Sequence, residues 1–474
     1  MTLRFFIIPA LIGSISLVDQ PAKAEGAKWE ERSVSLVAKK ERPSGLLPKK
    51  ELNELIAIGE RLFTAKFTAK DGVGRPAATQ AIIPTKPRHP TTGAFLRLSG
   101  PDAFACSACH NEPTIGGAGS FVTNVFVSEG FTNADFDTSD PQFSNERGTN
   151  HLFGAGLIEL LAREMSEDLA KLRKDALLAA AKSGKSETID LMSKGVHFGK
   201  ITAFSDGLVD LAKIEGVDTD LVIRPFSQKG VMTSLRQFTV NAMNHHHGIQ
   251  ASERFGTRWT GEADFDEDGV SDELDEAAIS ALVAWQATLP VPGIMKPEST
   301  SWQDAAKEGE RVFNDLGCVT CHRPSLPLNS ATFSDPGPYD VAGTLSSNQV
   351  KETAQYNLEY FDWVKSLPRD AKGRILVPLF GDLKRHKMTD RRINALGNEL
   401  LSQRFVGRDI FMTSELWGIG STGPYGHRND FSTLDAIILA HGGAGRESRD
   451  SYEKLPPAKK SSLIAFLKTL VIDK

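Results

Sequence analysis

Four cysteines occur in 474 residues, and they fall into two identical settings, "CSACH" at 106–110 and "CVTCH" at 318–322. In each, a Cys-x-x-Cys pair is followed at once by one of the chain's eleven histidines. A disulfide within either pair would close too short a loop to stabilise much. A chain of this length also buries enough apolar surface to need no such staple. A zinc site made from both pairs would leave the two histidines unexplained. Covalent c-type haem uses every residue of the pattern, because each thiol adds to a vinyl group and the adjacent histidine reaches the iron. The spacing therefore predicts two haems, attached at Cys106 and Cys109 and at Cys318 and Cys321, with His110 and His322 as proximal iron ligands.

The opening stretch "MTLRFFIIPALIGSISLVDQPAKAEG" predicts the compartment. Arg4 gives a positive start, Phe5 to Val18 an apolar run, and Ala22-Lys23-Ala24 a small-x-small cleavage site. We expect residues 1–24 to be a signal peptide and the mature chain to be exported, in the periplasm. No later run approaches the roughly eighteen apolar residues of a membrane span, so none is expected after processing. Basic and acidic residues nearly balance, 55 against 60, and no basic stripe appears, which argues against nucleic acid as a partner.

Two echoes organise the rest. "ELNELIAIGERLF" (51–63) has the apolar period of an amphipathic helix, and "KEGERVF" (307–313) nearly copies its end just before the second haem motif. "ALVAWQATL" (281–289) likewise matches "LIAFLKTL" (463–470). Each half thus reads as a helix, a haem motif, a long variable stretch and a closing helix. The expected fold is mostly α: two tandem cytochrome c-like domains, each wrapping one covalent c-type haem, with long loops and insertions. After an N-terminal extension at 25–49, domain 1 spans 50–292, a linker 293–306, and domain 2 307–474. The break falls in the proline-rich "LPVPGIMKPEST" (289–300). An insertion in domain 1, "GVGRPAATQAIIPTKPRHPTTG" (72–93), reads as a long loop, and "SEDLAKLRKDALLAAAKSG" (166–184) as a solvated helix.

With these motifs the chain resembles the di-haem oxidoreductases related to bacterial cytochrome c peroxidases, and within them the branch of di-haem peroxidases also called thiol oxidoreductases. The segments that carry the resemblance are "ELWGIGSTGPYGHRNDFSTLDAIILAHGG" (415–443), "VPLFGDLKRHKMTD" (377–390) and "NHLFGAGLIELL" (150–161). The resemblance implies that one haem stores an electron and the other reduces peroxide. It also places the sixth ligand of the storing haem, a methionine in the peroxidases, fourteen residues beyond the histidine of "TGPYGH". Here that position is His441, so His322 and His441 are expected to hold the C-terminal iron from both sides, with His386 and Met388 as the other candidates. His427 reads as a packing residue.

The N-terminal haem has no histidine between 111 and 150 to serve as a distal group. The triplet in "NAMNHHHGIQASERFG" (241–256) is the nearest source. On a continuous helix Glu253 would share a face with His246, and the pair would suit proton transfer to bound peroxide. His151 and Glu159 are the alternatives. "DFDEDGVSDELD" (264–275) matches a calcium loop, with Asp264, Asp266, Asp268, the Val270 carbonyl, Asp272 and Asp275 at the ligand positions. Trp285 and Trp417 read as core residues. Function is expected to be that of an exported peroxidase-like oxidoreductase. It would take electrons from a small redox protein (a cytochrome c or cupredoxin) at the C-terminal haem and use a small oxidant such as peroxide at the other. A di-haem electron carrier without substrate and a haem-dependent oxygenase are the alternatives.

Overall fold

Two glycines set the architecture. In the computed structural model, which describes residues 41–74, 103–126, 144–340, 343–400 and 402–472, eight helices are the main supports. They are α1 (Lys49–Thr64), α2 (Ala155–Ser183), α3 (Leu235–His247), α4 (Glu276–Ala287), α5 (Thr300–Asp315), α6 (Leu434–Leu439), α7 (Arg446–Glu453) and α8 (Pro457–Leu467). The expected leader and residues 75–93 of the insertion lie outside the described residues.

Helix α1 buries Leu52, Gly59, Leu62 and Phe63, and α5 buries Ala306, Gly309, Val312 and Phe313. Gly59 lies against α4, where a Cβ would stand 2.7 Å from the Ala281 carbonyl carbon and 2.8 Å from Trp285 Cβ. Gly309 lies against α8, where it would stand 2.6 Å from the Ser462 carbonyl carbon and 2.8 Å from Phe466 Cβ. The sequence echoes thus mark one helix crossing made twice. In each, the absent side chain lets the backbones touch.

The helices start where short side chains can satisfy free N–H groups. Asp275 accepts from Ala278 N at the start of α4, Ser299 from Trp302 N at α5, and Thr433 from Ala436 N at α6. Helix α2 is buried through Met165 and Leu169, whereas its later turns are largely exposed, in keeping with their charge. A hairpin follows, Glu187–Ser193 against Val196–Ala203. Both residues of its two-residue turn, Lys194 and Gly195, have positive φ (49° and 80°), the turn whose twist suits a hairpin.

The variable stretch of the second half folds into small sheets rather than helices. Leu326–Leu328 pairs with Ile375–Val377, Thr332–Asp335 with Ala354–Asn357, and Arg385–Lys387 with Ile410–Met412. Gly45–Leu46 of the N-terminal extension adds a parallel strand at Ala354–Gln355. The two largest apolar clusters among the described residues follow from this. The larger joins α1, α2 and α4 to Phe333, Tyr356 and Val377 from beyond residue 326, and the smaller gathers Val312, Phe313, Phe380, Leu463 and Phe466. The first half therefore completes its core with residues from the second.

Candidate functional site

Both Cys-x-x-Cys-His motifs adopt the same local structure. Cys106–Ala108 and Cys318–Thr320 are single 3-10 turns, and the following histidine donates its N–H back to the first cysteine, His110 to Cys106 O at 3.0 Å and His322 to Cys318 O at 2.9 Å. One tight turn thus presents two thiols and an imidazole together. None of the four cysteines is in a disulfide, and all four are half-buried. Burial, with help from the neighbouring cysteine, pushes the Cys106 thiol up to about 12. Burial likewise pushes Cys318 up to about 11. Among the described residues, no group of metal-ligating atoms brings the two pairs together, which removes the shared zinc site.

A cavity of about 510 Å³ is bordered by both motifs. Phe63, at the end of α1, sits 5.9 Å from the His110 ring, and Phe313, at the matching place in α5, sits 6.5 Å from the His322 ring. These phenylalanines, the last letters of "GERLF" and "GERVF", repeat the relation between helix and motif in three dimensions. Trp285 packs on Phe63 at 4.2 Å, and Trp417 is 2% exposed.

The imidazoles are oriented for metal. A carbonyl oxygen can only accept, so each ring nitrogen facing one carries the proton. His110 Nδ1 donates to Gly117 O at 3.3 Å, His322 Nδ1 to Phe380 O at 3.3 Å, and His441 Nδ1 to Ile437 O at 2.8 Å. Each ring therefore keeps the Nε2 lone pair, the arrangement typical of histidine ligands. Burial lowers His110 and His322 to about 4 and lowers His441 as well, so all three are neutral at pH 7, as metal binding requires.

The His322 and His441 ring centres are 6.5 Å apart. A metal between two imidazoles takes a bond of about 2 Å on each side, plus roughly 1.2 Å from each nitrogen to its ring centre, about 6.4 Å in all. The spacing fits one ion held from both sides. His386 instead donates from Nε2 to Asp382 at 2.8 Å beside Cys321. Met388 borders the cavity without that relation. His427 packs against Phe411 at 4.4 Å with the rings tilted by 33°, and it lies 3.6 Å from Glu399.

At the other motif the triplet closes α3, and His245, His246 and His247 all border the cavity. His247 donates from Nδ1 to Ala103 O at 2.6 Å and meets Cys106 Sγ at 3.4 Å through Nε2. His246 and His151 are the imidazoles whose charge bears on His110, and His151 donates to Trp417 O at 3.1 Å.

Glu253 is a correction. Gly248, at φ 68°, ends α3, so Glu253 never shares a helical face with His246. It is 4% exposed and paired with Arg236, 2.5 Å away. Arg236 also binds Asp335 at 3.0 Å. Burial works against the Arg236 charge, but Asp335 and Glu253 outweigh it and hold its pKa above the usual range. Glu159 is likewise structural, bound to Arg163 at 2.5 Å and accepting from Leu235 N at 2.7 Å. Among the described residues, the acid that does border the cavity is Glu415, which burial raises to about 7. No local pattern around Glu415 signals this, since only folding encloses it.

The acidic loop is formed. Asp264 accepts from Asp268 N at 3.1 Å and Gly269 N at 3.0 Å, and Asp268 from Val270 N at 2.8 Å. Asp272 N closes the loop onto Ala263 O at 3.0 Å. Asp275 Oδ1 accepts from Ala278 N at 2.8 Å as the cap of α4, and Asp275 lies outside the group formed by Asp264, Asp266 and Asp268.

No protein-family model matches the chain, and no curated protein does. Among solved structures, it is similar to hydrazine synthase of Kuenenia stuttgartiensis, pressurised with xenon, at TM-score 0.37 and 14% identity, over 98% of this chain and 100% of that one. It is also similar to a MauG-like protein associated with microbial copper homeostasis, at TM-score 0.36 and 14% identity, over 93% of this chain and 95% of that one. Among the described residues, no helix is long and apolar enough to cross a membrane.

Proposed function

We propose that this chain is an exported di-haem c-type oxidoreductase of the peroxidase kind. Electrons from a small redox protein, a cytochrome c or a cupredoxin, enter at the C-terminal haem, and peroxide or a related oxidant is reduced at the N-terminal one. One observation carries the reading: a single cavity joins two Cys-x-x-Cys-His turns with unlike surroundings. His441 faces His322 at the spacing of two ligands on one ion, whereas the N-terminal turn shares its end of the cavity with the histidine triplet.

Cys106, Cys109 and His110 would hold one haem, and Cys318, Cys321, His322 and His441 the other. Bound there, the haems would supply two redox-active irons, one of them a reservoir for the second electron. The chain's own part is positioning and proton supply. The Nδ1 bonds to Gly117, Phe380 and Ile437 fix the tautomers and ring planes. Phe63 and Phe313 pack beside the His110 and His322 rings, where they would shield a bound haem from water. Reduction of hydrogen peroxide to two waters consumes two electrons and two protons. Imidazole suits proton passage at neutral pH, and His246 is the cavity residue assigned to it through a ring nitrogen. Glu415, near 7, can hold a further proton on its carboxyl oxygen at the other end.

A second reading has its own support. His245, His246 and His247 border the cavity and His247 meets Cys106 at 3.4 Å, so the first haem could also take a second protein ligand, which would make the chain an electron carrier. Protein exported with haem-attachment machinery should have the mass of the mature chain plus two haems. Its paramagnetic resonance spectrum should contain one high-spin and one low-spin haem, and it should oxidise reduced cytochrome c when peroxide is added. Two low-spin haems without turnover would leave the carrier reading in place.

A further inference from the structure

The acidic loop buries a carboxyl group that no hydrogen bond satisfies. Asp266 is 4% exposed, and neither of its carboxylate oxygens finds a hydrogen-bond partner among the described residues. A buried carboxylate left this way is costly unless a cation meets it. Ligand oxygens of Asp264, Asp266 and Asp268 all lie within 4.8 Å of one another. Oxygens bound to one calcium at about 2.3–2.6 Å can be at most about 5 Å apart, so one ion can satisfy all three.

A further buried carboxylate, Glu273, belongs to the same segment, outside the group of three whose ligand atoms lie within 4.8 Å of one another. Burial, and then the charges of Asp266, Asp268 and Asp264, hold its pKa well above the usual range. One of its oxygens, Oε2, accepts from Gln250 N at 2.6 Å. The backbone of 72–74 covers the other side. A Cβ on Gly74 would stand 2.9 Å from Asp266 Oδ2, and one on Gly72 would collide with the Glu273 carboxyl. Gly248 packs on Gly74 in turn, and Ser252 N donates to Leu274 O at 2.9 Å. Three segments therefore meet at the carboxylates: 72–74, 264–274, and the 248–252 stretch that follows the histidine triplet.

We propose that Asp264, Asp266 and Asp268 bind one calcium ion, with Asp275 serving as the α4 cap rather than as a ligand. The ion clips the segment leaving α3 to the acidic loop, so it holds the backbone just beyond His245–His247. The proposal stands apart from the haem chemistry, and its test needs no turnover.

The test is equilibrium dialysis of the chelator-treated full chain against calcium chloride, with hydrogen exchange read at residues 248–252. One calcium per chain is expected, together with slower exchange of the Gln250 amide. Asp266→Asn should lose saturable binding, and Asp264→Asn should weaken it by roughly tenfold or more, since affinity follows ligand charge. Asp275→Ser, which preserves a capping hydroxyl, should bind as the unmodified protein does. If Asp266→Asn does not fold, the comparison of Asp264→Asn with Asp275→Ser still decides. No saturable calcium in the unmodified chain overturns the site. Weakening by Asp275→Ser but not by Asp264→Asn overturns the ligand assignment.

Discussion

A methyl group placed on Gly309 would set two helix backbones against each other. Its Cβ would lie 2.6 Å from the Ser462 carbonyl carbon, closer still to the carbonyl oxygen, and 2.8 Å from Phe466 Cβ, where ordinary contact begins at 3.4 Å. Taking the carbon alone, α5 and α8 must part by 3.4 − 2.6, or 0.8 Å. Neither obstacle can rotate away, because one is backbone and the other is the first atom of a buried side chain. Overpacking of this kind costs typically 1–3 kcal/mol, and the rigid contact puts Gly309→Ala near the top, about 3. Alanine returns about 1 kcal/mol of helix propensity, so the net loss should be about 2 kcal/mol. Urea unfolding should show a lower midpoint at unchanged slope. Gly59→Ala should lose a similar amount, since its Cβ would meet Ala281 and Trp285 at 2.7 and 2.8 Å. Glu310→Ala, on the exposed face of α5, should stay within about 0.5 kcal/mol. If Gly309→Ala is as stable as the unmodified protein or more so, the close crossing is not there.

Three further outcomes are expected. His441→Ala should keep two haems, because Cys318, Cys321 and His322 still attach the second, yet convert one low-spin haem to high-spin. His386→Ala should leave the spin state alone, and the reverse result would reassign the ligand. Glu253→Ala leaves Arg236 short of a buried partner and should cost about 3–5 kcal/mol without altering the haem spectrum. Loss of peroxide turnover at unchanged stability would return Glu253 to the chemistry. Burial, reinforced by the charges of Arg147, Lys229 and Arg428, lowers His427 to about 3. Unfolded, this histidine takes its proton near pH 6.5, so between about 3 and 6.5 the unfolded state binds one proton more and stability rises with pH. That slope is about 1.4 kcal/mol per pH unit, and His427→Gln should remove it between pH 5 and 6.5. An unchanged slope would mean that His427 is protonated in the fold.

What the sequence determined is whatever local chemistry fixes. Two thiols and an imidazole within five residues are bound to share one turn, so both Cys-x-x-Cys-His turns could be read directly. The glycine and aromatic positions of the two echoes were equally legible, because a helix crossing needs a small residue at a fixed place in each repeat. Tertiary structure decided the rest, since it turns on which distant groups meet. His441 faces His322 only because α6 returns to the cavity wall, and the resemblance rather than the spacing pointed to it. Glu253 and Glu415 differ by nothing visible in the chain, yet one is drawn into the Arg236 ion pair and the other is enclosed at the cavity. Asp275 fits a calcium loop by position, but α4 begins there and takes its carboxylate as a cap. Glu273, at no expected ligand position, turns inward. A carboxylate's role follows from the partner it is buried against, and sequence spacing does not carry that information beyond a few turns.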